Sequence, residues 1–129
     1  LNKLIISIKT CLPDCQIILR PHPNTSLLKF KKSLLKNFSE IVISDSSKIL
    51  HDSLDAIDLV IAGESSAHLE VLSLGIPSVY WRLDKIPYDH YGFVRNNFVL
   101  KVDHLFDLKN KVNSFYSSTE WKIVQNQYS

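Results

Sequence analysis

The residues of this chain that can do chemistry collect in three short clusters, each directly after an apolar run. Arg20-Pro21-His22-Pro23 follows Gln16-Ile17-Ile18-Leu19, Ser44-Asp45-Ser46-Ser47 follows Ile41-Val42-Ile43, and Gly63-Glu64-Ser65-Ser66 follows Asp58-Leu59-Val60-Ile61-Ala62. The third is the sharpest. A glycine turn with two serines at the start of a helix offers backbone N–H groups, two hydroxyls and the positive end of the helix dipole, which together suit a phosphate. Ser65 or Ser66 can equally serve only as the cap that any helix needs. Glu70, four residues after Ser66, lies on the same helical face one turn deeper, where a carboxylate can accept hydrogen bonds from vicinal hydroxyls such as those of a ribose. A solvent-exposed glutamate is the other reading of that position. His22 is held on a stiffened, exposed loop by its two flanking prolines, and its imidazole can donate to a phosphate or, when charged, neutralise one. Arg20 adds a guanidinium, unless it turns into a structural ion pair. His68, between Ala67 and Leu69, reads as a packing residue. A further group, Arg82, Asp84, Tyr88, Asp89, His90 and Tyr91, follows a fourth apolar run and forms either a loop that closes over a ligand or a domain interface.

The elements that must position these residues follow from the apolar periodicity. Leu4, Ile5, Ile8 and Leu12 recur at helical spacing over residues 2 to 12, and Pro13-Asp14 stops them. Short strands are predicted at 16–19, 41–44, 58–62, 78–81 and around 98–100. Helices are predicted from Asn24 to about Phe38, over 47–56, over 65–74 with Gly75 closing the last turn and Pro77 just beyond, and from Asp103 to about Tyr116. The tail from Thr119 suits a last helix. Strands that are near-continuous apolar runs, alternating with helices, predict an α/β fold: a Rossmann-like parallel sheet with helices on both faces. In such sheets ligands sit at the carboxyl ends of the strands, and all three polar clusters fall on that rim.

Composition bounds the rest. With 129 residues the chain is the size of one domain, spanning 1–129, and 45% hydrophobic with 22% charged residues is ordinary for a folded globular protein. A formal charge of +2 is too small for the electrostatic footprint of a nucleic-acid binder, so no nucleic-acid partner is expected. Lys29, Lys31, Lys32 and Lys36 fall at helical spacing beside Leu27, Leu28, Leu34 and Leu35 and read as a solvated helix face. Cys11 and Cys15 lie close together, with no other cysteine or compact histidine pair to complete a zinc spacing, and are expected to be free thiols in a reducing cytoplasm. No paired Asp motif is placed to hold a metal. No apolar run approaches the roughly 20 residues that cross a bilayer. A first residue other than Met, with an amphipathic helix already under way, suggests a longer protein whose N-terminal partner domain is absent.

Over residues 16 to about 93 the order of motifs resembles that of the CDP-glycerol glycerophosphotransferases of teichoic acid synthesis and, more loosely, other GT-B enzymes of capsule biosynthesis. The positions that carry the resemblance are His22-Pro23, Asp58-Leu59-Val60-Ile61, Ser65-Ser66, Glu70, Gly75-Ile76-Pro77 and the Tyr/Asp-rich stretch from Asp84 through Tyr91-Gly92. The chain has Gly63-Glu64 where that family usually has Asp-Tyr, and Glu70 where it usually has Asp. The resemblance implies the C-terminal, donor-binding half of a GT-B fold, without a bound metal or cofactor. His22 and the Ser65-Ser66 turn would then hold the phosphates of a nucleoside diphosphate-activated donor, a nucleotide-sugar or a CDP-alcohol, with Arg20 and Gly63 beside them and Glu70 on the ribose. His22 would stabilise the departing phosphate as the catalytic residue. The absent N-terminal domain would supply the acceptor site, and the full protein would work in a bacterial cytoplasm at the inner face of the membrane. A sugar-nucleotide 2-epimerase-like domain and a non-catalytic α/β interaction domain are the alternatives.

Overall fold

The computed structural model describes residues 2–20, 28–29, 31–32, 36, 38, 40–43, 57–63, 65–81 and 88–128. They fall in two compact units, Asp14–Asp55 and the combination of Leu1–Pro13 with Ala56–Ser129.

In the smaller unit, β1 (Ile18–Leu19) runs parallel to β2 (Val42–Ile43), with Ile18 opposite Val42 and Leu19 opposite Ile43. The ladder begins one residue earlier, where Val42 N–H donates to Ile17 O at 3.2 Å. Ile41 is buried, but the register partners Ile18 and Val42 are each 45% exposed. These strands are therefore less enclosed than their apolar sequence suggests. Leu28, Lys29, Lys31 and Lys32 are helical and exposed, as the lysine spacing predicts. The helix predicted over 47–56 lies outside the described residues.

The larger unit opens with α1 (Asn2–Cys11) and continues with β3 (Val60–Ala62), α2 (Ala67–Leu74), β4 (Ser78–Tyr80), β5 (Leu100–Lys101), α3 (Leu108–Tyr116) and α4 (Thr119–Tyr128). Its three strands form one parallel sheet in the order β3-β4-β5, with Val60 opposite Ser78, Ala62 opposite Tyr80, and Tyr80 opposite Lys101. Successive residues of a strand face opposite sides, and β4 is buried on both: Ser78, Val79 and Tyr80 are each 2% exposed or less. Val79 joins a core with Leu4 of α1, Val102, Leu105, and Leu108 and Val112 of α3. Tyr80 lies in a second cluster with Phe93 and Val99. His68 of α2 comes onto that second face, its ring 6.1 Å from Tyr80 and 5.3 Å from Phe93. Helices thus contribute to both faces, and a continuous apolar run at β4 is what a doubly covered strand requires.

The architecture is mixed α/β, with two small parallel sheets flanked by helices, where the sequence suggested a single sheet. Two boundaries also differ from expectation. The fifth strand starts at Leu100 rather than 98, because residues 93–97 are taken up in turns that bring Phe98 N–H to Phe93 O at 3.0 Å and put Asn97 at φ +61°. The helix expected from Asp103 starts at Leu108, because Asp107 adopts a left-handed φ of +57° that an α-helix cannot continue through.

The open end of the β4–β5 ladder is completed by a side chain. The Tyr116 hydroxyl at the end of α3 donates to Ser78 O and accepts from Ser78 N–H at 2.9 Å and Leu100 N–H at 3.4 Å. Trp121 of α4 stacks edge-on against Tyr116 at 4.8 Å and donates its indole N–H to Phe98 O at 3.3 Å.

Candidate functional site

Because β3, β4 and β5 are parallel, their carboxyl ends share one edge of the sheet, and three polar features of the larger unit lie there. The first is the turn after β3. Its amides are largely spoken for: Ser65 Oγ accepts from Ala67 N–H at 3.2 Å, and Ser65 O accepts from His68 N–H at 3.2 Å. Ser65 therefore does the capping. Ser66 is exposed, takes up helical dihedrals and makes no capping bond through its side chain. What this turn presents outward is the Ser66 hydroxyl and the dipole of α2. Glu70, half-buried in the first turn of α2, carries one oxygen, Oε2, that is buried and has no hydrogen-bond partner among the described residues. A buried acceptor left unpaired costs about 1–3 kcal/mol, so it is uncommon in a folded chain.

His68 locks this turn to the next strand. It is fully buried; its Nε2 lies 2.8 Å from Gly63 O and its Nδ1 contacts Ser78 Oγ. A carbonyl oxygen only accepts, so Nε2 donates to Gly63 O, and in that tautomer Nδ1 accepts a hydrogen bond from the Ser78 hydroxyl. The expectation that His68 packs agrees with its place between Tyr80 and Phe93. Its two hydrogen bonds leave no mark in the sequence, because Ser78 is ten residues away and Gly63 is an ordinary turn glycine until the helix folds back over it.

The second feature is the turn segment that begins at this edge with Tyr88 and returns to the amino end of β5 by Phe98. Asp89, 3% exposed and at φ +51°, accepts from Val94 N–H at 2.9 Å through Oδ1 and from Arg95 N–H at 3.0 Å through Oδ2. Arg95 returns a bond from Nη1 to Asp89 O at 2.9 Å, and Asp89 N–H donates to the Tyr80 hydroxyl at 3.2 Å. Asp89 is thus the organiser of its own loop, its carboxylate turned inward onto backbone.

The third feature is a cleft of about 400 Å³ beyond β4 and β5, lined by Tyr80, Trp81, Tyr88, Lys101, Val102 and Asp103. Tyr88 stands edge-on to Tyr80, at 5.6 Å and 88°. Lys101 Nζ sits 5.1 Å from the centre of the Tyr88 ring and 3.1 Å from Asp103 Oδ1. Sequence reasoning picked out Tyr88 but not Lys101 or Asp103. Their only signal was their place immediately after a short apolar strand.

Of the other residues singled out in the sequence, Arg20 is half-buried just past β1, in the smaller unit. His22 lies outside the described residues, as do Ser44 to Ser47, Glu64, Arg82 and Asp84. Gly63, Ser65, Ser66 and Glu70 are brought together at the β3–α2 turn. Cys11 and Cys15 are free and exposed. No helix among the described residues is long and apolar enough to cross a membrane, and no cluster of three or more His, Cys, Asp or Glu among them is placed to hold a metal. Set against protein-family models, curated proteins and solved structures, the chain matches none of them.

Proposed function

We propose that the chain binds a nucleoside diphosphate-activated donor, a nucleotide-sugar or a CDP-alcohol, as the donor-binding part of a Rossmann-like GT-B transferase of bacterial surface-polymer synthesis. The observation that carries this reading is the unpaired buried Oε2 of Glu70, one turn behind the exposed Ser66 hydroxyl at the carboxyl edge of a parallel sheet. A carboxylate oxygen with no donor among the described residues suits the vicinal hydroxyls of a ribose, and the positive end of α2 beside it suits the attached phosphates. The satisfied amides of Ala67 and His68 leave the Ser66 side chain and the helix dipole as this turn's contribution. In the same reading His22 and Arg20 supply the remaining phosphate contacts.

The test is titration of the chain with CDP, UDP and GDP, followed by NMR. Saturable shifts at Gly63, Ser66 and Glu70 are expected, with dissociation constants from roughly tens of micromolar to millimolar. Silence toward all three at several millimolar sinks the proposal. Glu70→Ala sharpens the result, because removing an unpaired buried oxygen should leave stability unchanged or raise it, while nucleoside affinity falls. Lost stability with intact affinity would make Glu70 a structural residue.

A further inference from the structure

We propose that the lysine ridge of the smaller unit, Lys29, Lys32 and Lys36 with Leu28 beside them, is a docking surface for an acidic amphipathic helix of a partner protein. The 25 residues from Cys15 to Ser39 hold five of the chain's 15 Lys and Arg and none of its 13 Asp and Glu, which leaves the remainder net acidic. The overall charge of +2 thus hides one concentrated basic segment. Lys29, Lys31 and Lys32 are helical, Lys36 stands in a turn, and all four are exposed. Lys29, Lys32 and Lys36 recur at i, i+3 and i+7, the spacing of one helical stripe. None of the four makes an ion pair among the described residues, so no carboxylate there offsets their charge.

The composition of the ridge selects among anionic partners. Leu28 is 68% exposed and stands four residues before Lys32, so an apolar side chain borders the lysines. The lysine stems add methylene surface beside it. A partner that satisfies both features carries carboxylates at helical spacing with an apolar residue next to them, which is the pattern of an acidic amphipathic helix. A bilayer suits the ridge less, because a helix lying in a membrane interface turns its apolar face to the lipid. Here the helical repeat of the sequence sets Leu27 and Leu34 opposite Lys29 and Lys36, and Leu28 alone among the described residues of the helix offers an exposed apolar contact. A polyphosphate or nucleic acid is best matched by planar arginine forks, whereas the ridge has lysines only, with a leucine that a phosphate chain cannot use.

This inference goes beyond the nucleotide reading and does not need it: the ridge belongs to the smaller unit, and Gly63 to Glu70 belong to the larger. An exposed ion pair contributes at most about fivefold to an affinity. Three such pairs and one leucine contact fit a transient complex, with a dissociation constant of roughly tens to hundreds of micromolar at low salt.

The experiment is a fluorescence-anisotropy titration of the chain into a labelled helical peptide with Glu at i, i+3 and i+7 and Leu flanking them, beside a peptide of the same composition in scrambled order. The patterned peptide should bind, and its affinity should fall by about tenfold between roughly 50 and 300 mM salt. K29Q/K32Q/K36Q should weaken it by about tenfold or more, K29R/K32R/K36R should retain it, and Leu28→Ser should weaken it by about threefold. All four positions are exposed, and folding of each variant is verified by its NMR spectrum. K32Q alone, with an expected loss of about threefold, serves if the triple variant fails to fold. Equal binding of the scrambled peptide, a lysine variant that binds as well as the parent chain, or unchanged affinity in Leu28→Ser would each overturn the inference. Tighter binding to phosphatidylglycerol vesicles or to polyphosphate than to the patterned peptide, compared at equal concentration of negative charge, would overturn it as well. Failure of CDP, UDP and GDP at Gly63 to Glu70 would overturn only the nucleotide reading.

Discussion

His68 shows how much a buried polar side chain can settle at once: it fills space between two aromatic rings, fixes the Gly63 carbonyl and holds the Ser78 hydroxyl. His68→Phe keeps the ring but strands both partners, and it should lower the unfolding free energy by about 2–4 kcal/mol in urea. Adding Ser78→Ala removes one orphaned group, so the double variant should recover part of that loss. A single-variant loss below about 1 kcal/mol would mean that ring packing alone secures the turn. Tyr116 gives a prediction in pH. Burial pushes its phenol up from 10.0 to about 12, against the opposing pull of the backbone bonds at Ser78 and Leu100. Between those values the unfolded chain has lost the proton that the folded chain still holds, so folding is increasingly disfavoured as pH rises. The stability is fully present below about pH 10 and is lost toward pH 12, by roughly 2–3 kcal/mol for this one group. Tyr116→Phe should therefore flatten the decline in unfolding free energy between pH 9 and 12, although the other tyrosines still titrate in both proteins. Equal slopes would show that Tyr116 ionises in the folded protein as freely as in the unfolded one.

At the scale of elements, α2 is ended by chemistry that is local and therefore visible in the sequence. Gly75 adopts φ +72° and donates to Leu72 O at 3.2 Å, while Ile76 N–H reaches back to Val71 O at 3.1 Å, a paired closure that needs a left-handed residue. Gly75→Ala should lower the thermal stability by about 1–2 kcal/mol through backbone strain, since the new methyl meets only the flexible end of Gln125. Gly75→Asn, better suited to that conformation, should lose less, and equal losses would place the cause in the Gln125 contact. The same locality explains which parts of the fold were legible. Apolar runs marked all five strands among the described residues, helical spacing marked α1, the Ser65-Ser66 turn marked the start of α2, and Gly75-Ile76-Pro77 marked its end. The late start of α3 was hidden because Asp103 offers as good a cap by type as any residue before Leu108, and only the left-handed Asp107 decides. Division into two sheets depends on pairing between distant segments, which no local pattern encodes. At the candidate site, the pair Ser65-Ser66 announced a helix start, but which serine caps and which faces outward rests on dihedrals that the residue types share. Lys101 and Asp103 were missed because two charges after a strand look like any solvated loop.

For the molecule as a whole, ligand binding must appear as added stability. A nucleoside diphosphate present at ten times its dissociation constant should raise the unfolding free energy by about 1.4 kcal/mol, seen as an upward shift in Tm that saturates logarithmically with concentration. A Tm that stays fixed over that range, with NMR shifts still present, would mean that the ligand binds folded and unfolded chain alike. The Tyr116 hydroxyl bears on how the molecule is made. Ribosomes deliver a chain from its amino end, and Ser78 emerges 38 residues ahead of the side chain that serves both its N–H and its C=O. Throughout that interval the nascent β4 can pair with β3 but lacks the rung that secures it toward β5. The sheet of the larger unit is thus finished only when α3 has left the exit tunnel, which ties the order of assembly to a single phenol.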